Sequence, residues 1–388
     1  MRKRVAVVIL VLLQSALTYG GNAETLPQEY WRHPLAPQGE APKDWSAEEK
    51  SLRPQECGLC HADKLAEWRT SLHAKAFSPG LVGQLLTFDS EDVHSCLNCH
   101  APLAEQKQAF DAARAAGKGH LPTAQGLAAQ GNSCGGCHLR NHRRFGPPQR
   151  DGGAVGVSPA DGSHGGVTRS RDFERSDFCA ACHQFPQDMA INGKPLENTM
   201  VEWQASPAGR NGQSCQSCHM PDRRHLWRGI HDPAMVAAGV TAQFSAETGF
   251  ARFRLTNTAT GHAFPTYVTP KVMLKAVGLD ENGAVIPGSA REHVIQRRVA
   301  FIDGDWIERF DSRLPPGQSA GLDMPWPASG RVRFWLEVHP DDFYDHDVYD
   351  GLLRDLPKSS AAARLIAEAD AQARRNRFTL FEREVTRP

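Results

Sequence analysis

The chain has 388 residues, enough for two or three domains, and its 34 Gly and 26 Pro suit a loop-rich globular protein rather than a fibrous or disordered one. Forty-four basic side chains balance 44 acidic ones, so neither nucleic acid nor an anionic membrane surface is expected as a partner. All ten cysteines fall into CxxCH pentads, which sets the chemistry of the chain.

The first 23 residues read as a secretory signal. Arg2-Lys3-Arg4 is its charged start, Val5 to Leu13 its apolar run, and Gly21-Asn22-Ala23 the small residues before Glu24. A bilayer span takes roughly 20 apolar residues, so this run is too short, and the mature chain is expected to have no transmembrane segment. A periplasmic or otherwise exported location follows, with the cell surface as a variant. Cleavage would leave 41 basic side chains against 44 acidic ones. Residues 24–56 are Pro-rich and are expected to form an arm lying on the next domain.

The pentads are Cys57–His61, Cys96–His100, Cys134–His138, Cys179–His183 and Cys215–His219. Two thiols one helical turn apart reach the two vinyl groups of one haem, and the following His supplies the proximal imidazole. The expected attachment residues are therefore Cys57, Cys60, Cys96, Cys99, Cys134, Cys137, Cys179, Cys182, Cys215 and Cys218, with His61, His100, His138, His183 and His219 as proximal ligands of five haem c groups. A zinc ribbon pairs its CxxC units, and five is odd. Disulfides form in exported proteins but leave the trailing His unexplained. Successive pentads start 39, 38, 45 and 36 residues apart. So little protein cannot bury each haem in an apolar core of its own. The haems must therefore make up much of the core of residues 57–237 and lie close together. About ten propionates would make the holoprotein acidic unless Arg and Lys pair with them.

Within this region, helices are expected at 61–72, 101–116, 172–182 and 198–205, with a Gly-rich loop at 151–166 wrapping over a haem face. Twelve histidines remain for the sixth coordination positions. His73 follows the first helix, His94 precedes the second pentad, and His164 sits in the Gly-rich loop. His231 follows the fifth pentad, and His262 lies in a turn leaving a strand. His225, His120 and His142 are weaker alternates. His33, His293, His339 and His346 lie outside the region and read as ordinary histidines.

After residue 238 the periodicity changes to two. Ala251, Phe253 and Leu255 alternate with polar residues, and Glu281-Asn282-Gly283 marks a hairpin turn. Further alternating runs at 292–302, 305–314, 318–325 and 331–339 predict a β-sandwich-like domain over 238–340. Residues 341–354 and 359–376 read as helices in a C-terminal helical segment, 341–388. The expected fold class is multidomain: a haem-packed, mainly α and irregular domain, then an all-β sandwich-like domain, then C-terminal helices.

Glu67-Trp68-Arg-Thr-Ser71-Leu-His73, the Cys218-His219-Met220-Pro221 run and the Gly261-His262-Ala-Phe264-Pro265 turn together resemble the cytochrome c-554 group of multihaem cytochromes. The resemblance covers roughly residues 50–270. It implies a distal haem-ligand role for His73 and raises His262 as a ligand from the C-terminal domain. Glu202-Trp203-Gln-Ala-Ser206-Pro207-Ala208 repeats the first segment but carries Ala where the His would stand.

Electron transfer along mostly bis-His haems is the leading functional expectation. Its partners would be redox proteins such as a quinol dehydrogenase, small cytochromes or a terminal reductase. The alternative is a reductase or oxidase of a small nitrogen or sulfur compound at one open iron. No CxxCK pentad favours it, and the missing His at 208 does. Surplus histidines also permit an oligomeric wire.

Overall fold

A computed structural model describes residues 25–117, 121–150, 156–157 and 165–388. The signal-like segment, His120, His164 and most of the 151–166 loop lie outside the described residues. Among the described residues, no helix is long and apolar enough to cross a membrane.

The pentad region consists of short helices. Helix α1 spans Ala62–Arg69, α2 Pro79–Leu85, α3 Ser90–His100 and α4 Ala104–Ala115. Asp89 caps α3 by accepting the Glu91 and Asp92 amides, and the second pentad forms the last turn of this helix. Leu85, Val93, Leu97 and Phe110 pack between these helices into a small core. The helix expected at 172–182 is broken: Arg175 is extended (ψ 145°), separating a 3₁₀ turn, Arg171–Glu174, from an α-turn, Asp177–His183. The N-terminal arm lies against this region, with the Tyr30 hydroxyl donating to the Cys137 carbonyl at 2.6 Å.

The C-terminal region is built of strands β1 Val240–Ala246, β2 Phe250–Asn257, β3 Lys271–Leu279, β4 Arg291–Ile295, β5 Arg297–Ile302, β6 Asp305–Asp311, β7 Ser319–Pro325 and β8 Arg331–His339. One antiparallel sheet has the order β7-β2-β1, and a second runs β4-β3-β8. Phe253, Leu255, Leu274, Leu336 and Phe334 fill one core shared by both.

The C-terminal segment is not wholly helical. Tyr344–Tyr349 is a π-turn, Asp350–Asp355 one short helix, and α5 spans Ala361–Arg375. A ninth strand, β9 Phe378–Thr386, then pairs with β8 and extends the second sheet. Phe381 (φ +55°) interrupts its alternation, which hid it from a period-two reading. Helix α5 returns to the pentad region and packs on α2. Glycine allows this approach: a Cβ on Gly83 would lie 2.7 Å from Ile366 Cδ1, and one on Gly80 would lie 2.0 Å from the Tyr349 hydroxyl. The C-terminal segment is thus seated beside the second pentad.

Candidate haem sites

Four pentads lie in helices, and the first is a turn that follows the helix Pro54–Cys57. None of the ten thiols is in a disulfide. Three thiol pairs meet across pentads. Cys57 approaches Cys134, Cys179 approaches Cys215, and Cys99 approaches Cys182. The first pentad therefore abuts the third, the fourth abuts the fifth, and the second abuts the fourth.

The pentad imidazoles are oriented by their Nδ1 atoms. His100 donates to the Ala76 carbonyl at 2.9 Å, His138 to Phe145 at 2.8 Å and His219 to Arg228 at 2.7 Å. A carbonyl can only accept, so Nδ1 carries the proton and Nε2 keeps its lone pair. His183 Nδ1 instead meets the Glu197 carboxylate at 2.7 Å. Burial pulls His183 down, but the Glu197 charge and hydrogen bond outweigh it and lift it to about 9.

Three further histidines face these rings. His73 and His183 have ring centroids 6.2 Å apart, His138 and His225 6.2 Å, and His219 and His262 6.4 Å. Planes tilt by 51°, 28° and 13° respectively. Two metal–imidazole bonds of ~2.0 Å, plus ~1.1 Å from each ring centre to its nitrogen, span about 6.2 Å, so each gap fits one metal held between two imidazoles. Burial first, then neighbouring imidazoles, pulls His73 down to about 3, and burial pulls His225 and His262 down to about 4. All three are neutral near pH 7, which leaves each a lone pair for a metal. His225 Nδ1 meets the Arg223 carbonyl at 3.1 Å and His262 Nδ1 the Ala263 carbonyl at 2.9 Å, again leaving Nε2 with its lone pair. Trp227, which the sequence reading did not single out, lies 4.7 Å from His73 and 5.0 Å from His225. Among the described residues, the buried donors Trp31 Nε1, Arg140 Nη2 and Arg169 Nε have no hydrogen-bond acceptor, which suits the carboxylates of a haem.

Other sequence candidates are placed differently. His94 lies on the same helix as His100, six residues earlier, and meets Asp111 at 2.8 Å. His231 Nε2 is held by Asp341 at 2.8 Å. His142 is buried in a left-handed turn (φ +55°), with Nε2 on the Gly39 carbonyl, and ties down the arm. His225, ranked low in sequence, is in a facing pair.

The two Glu-Trp segments build the same framework. Trp68 Nε1 donates to the Asn132 carbonyl at 2.9 Å, two residues before Cys134; Trp203 Nε1 donates to Gln213 at 2.8 Å, two residues before Cys215. Ser71 and Ser206 each donate to the carbonyl of their own Trp at 2.7 Å. The Asn132 amide donates to the His73 carbonyl and the Gln213 amide to the Ala208 carbonyl. Ala208 is covered by the His262 turn: a Cβ on Gly261 would lie 3.2 Å from its Cβ.

Residues 56–139 match the family described as cytochrome c554 and c-prime. Over those residues the chain is similar to the c554 group, and its five CxxCH pentads are haem c attachment motifs. The chain is similar in fold to the crystal structure of a penta-heme cytochrome c552 from Thermochromatium tepidum, with 20% identity and a TM-score of 0.59 over 86% of this chain and 98% of that one. A search of curated proteins finds no match.

Proposed function

We propose that this cytochrome is an exported electron relay that passes single electrons between redox proteins. The facing pairs His73/His183, His138/His225 and His219/His262 carry this reading. Haem c supplies the one-electron chemistry when bound. The ten pentad cysteines would anchor it, and the pentad histidines would bind its iron. His73, His225 and His262 would supply second ligands at the fourth, third and fifth pentads, which would leave no position for substrate there. Contacts between pentads give an order: the first abuts the third, and the fourth abuts both the second and the fifth. Trp227, wedged between His73 and His225, joins the third to the fourth. The fourth pentad is thus the branch point. Glu197 makes His183 a stronger electron donor than its carbonyl-bound counterparts, which favours the oxidised state at that point.

One observation favours a second reading, reduction or oxidation of a small nitrogen compound at the second pentad. Among the described residues, no second imidazole faces His100. Tyr344, pushed up to about 12 by burial and then by Cys96 and Asp341, sits beside that pentad. Low-temperature EPR of the oxidised holoprotein separates the two readings. The relay predicts low-spin spectra that nitrite and hydroxylamine leave unchanged. A stoichiometric high-spin signal that shifts with either compound would establish the second.

A further inference from the structure

The two Glu-Trp segments are 135 residues apart in sequence, yet their carboxylates make matching contacts that the haem chemistry alone does not require. Glu67 Oε2 accepts the backbone amide of His225 at 2.8 Å, while its Oε1 holds Arg224 at 2.8 Å. Glu202 Oε2 accepts the backbone amide of Ala263, next to His262, at 3.1 Å, while its Oε1 holds Arg313 at 2.9 Å. His225 faces His138, and His262 faces His219. The adjacent Trp holds the loop entering the pentad of that same His138 or His219.

We propose that Glu67-Trp68 and Glu202-Trp203 are two copies of one clamp, in which the Trp fixes the pentad side of a haem and the Glu positions the opposite histidine. The proposal rests on reading the facing pairs as axial ligands. The held segments are unrelated: residues 223–228 form a loop after the fifth pentad, and residues 261–265 form a turn of the β region. What they share is a ligand-bearing turn that delivers a backbone N–H to the same carboxylate. A turn carries no repeating hydrogen bonds of its own, so a single charged acceptor fixes its register. Ala208, which stands where the first segment carries His73, packs against Gly261 of the His262 turn.

Carbon monoxide binding to the dithionite-reduced holoprotein tests this, because only an iron with a free or displaced sixth ligand takes it up. Each variant is first checked by intact mass for its five haems. Glu67→Ala is expected to add CO binding at one haem, with the difference spectrum of His225→Ala. Glu202→Ala is expected to add it at another, with the spectrum of His262→Ala, and the double variant to add two. Glu67→Gln and Glu202→Gln keep an acceptor oxygen and should behave as the parent. Unchanged CO uptake in both Ala variants overturns the clamp, as does a spectrum matching the wrong histidine. If an Ala variant loses haem, the Asp variants, one methylene shorter, decide: each must shift the potential of its one haem, and no shift overturns the clamp. If His225→Ala and His262→Ala leave CO uptake unchanged, the axial-pair reading itself fails, whatever the Glu variants do.

Discussion

The two halves of this chain are held together in different ways. From residue 240 onward, Phe253, Leu255, Leu274, Phe334 and Leu336 fill a continuous core between two sheets. Between residues 57 and 237 the apolar clusters are small, and helices such as Cys134–His138 and Cys215–His219 have five residues each. Helices that short do not persist without tertiary support. One half brings its own core, and the other has only small apolar clusters of its own. The halves are joined where the β region extends His262 toward His219 and where α5 lies on α2.

The largest test of this contrast is to withhold the haems. A chain with all ten cysteines changed to Ala should lose protease resistance across 57–237 while 240–386 survives as a folded fragment, read by limited proteolysis and mass. Equal resistance in both halves would break the comparison. Phe253→Ala should act only on the other half. It removes a fully buried ring, at a cost of about 4 kcal/mol, and should lower the denaturation midpoint of the β region while leaving the haem spectrum unchanged at pH 7.

The next effect depends on pH. Asp342 is 1% exposed and lies 2.9 Å from Lys271 Nζ. Burial works against its charge, but the nearby His339 and Lys271 and a hydrogen bond from Gln296 outweigh it and hold the carboxyl well below its usual range. A depressed carboxyl contributes stability above its unfolded value of about 4, lost as pH falls through the folded one. Asp342→Asn should therefore cost about 3 kcal/mol at pH 7 and flatten the acid limb of the melting profile of the β region. The smallest effect is at the junction. Ser360 caps α5 by accepting the Ala363 amide at 3.1 Å, so Ser360→Ala should cost about 1 kcal/mol. It should loosen α5 from α2, read by hydrogen exchange.

Features written locally were legible in the sequence. The pentads, the strands and the His73 and His262 turns each declare themselves within about ten residues. Pairings across the chain did not. His225 faces His138 from 87 residues away, and nothing around it distinguishes it from His231, which a carboxylate in the C-terminal segment holds instead. His94, close in sequence to a pentad, meets Asp111 instead of a pentad imidazole. Strand β9 was missed because one left-handed residue, Phe381, breaks its alternation. The Glu-Trp repeat was visible, but its purpose needed the partners of its carboxylates.

The central claim is that three imidazole pairs close three of the five haems. Quantitative low-temperature EPR of the oxidised holoprotein and of His73→Ala, His225→Ala and His262→Ala tests it most directly. The account predicts that each variant loses one low-spin haem and gains one high-spin haem, with a different haem affected each time. An unchanged low-spin count in these variants would contradict it.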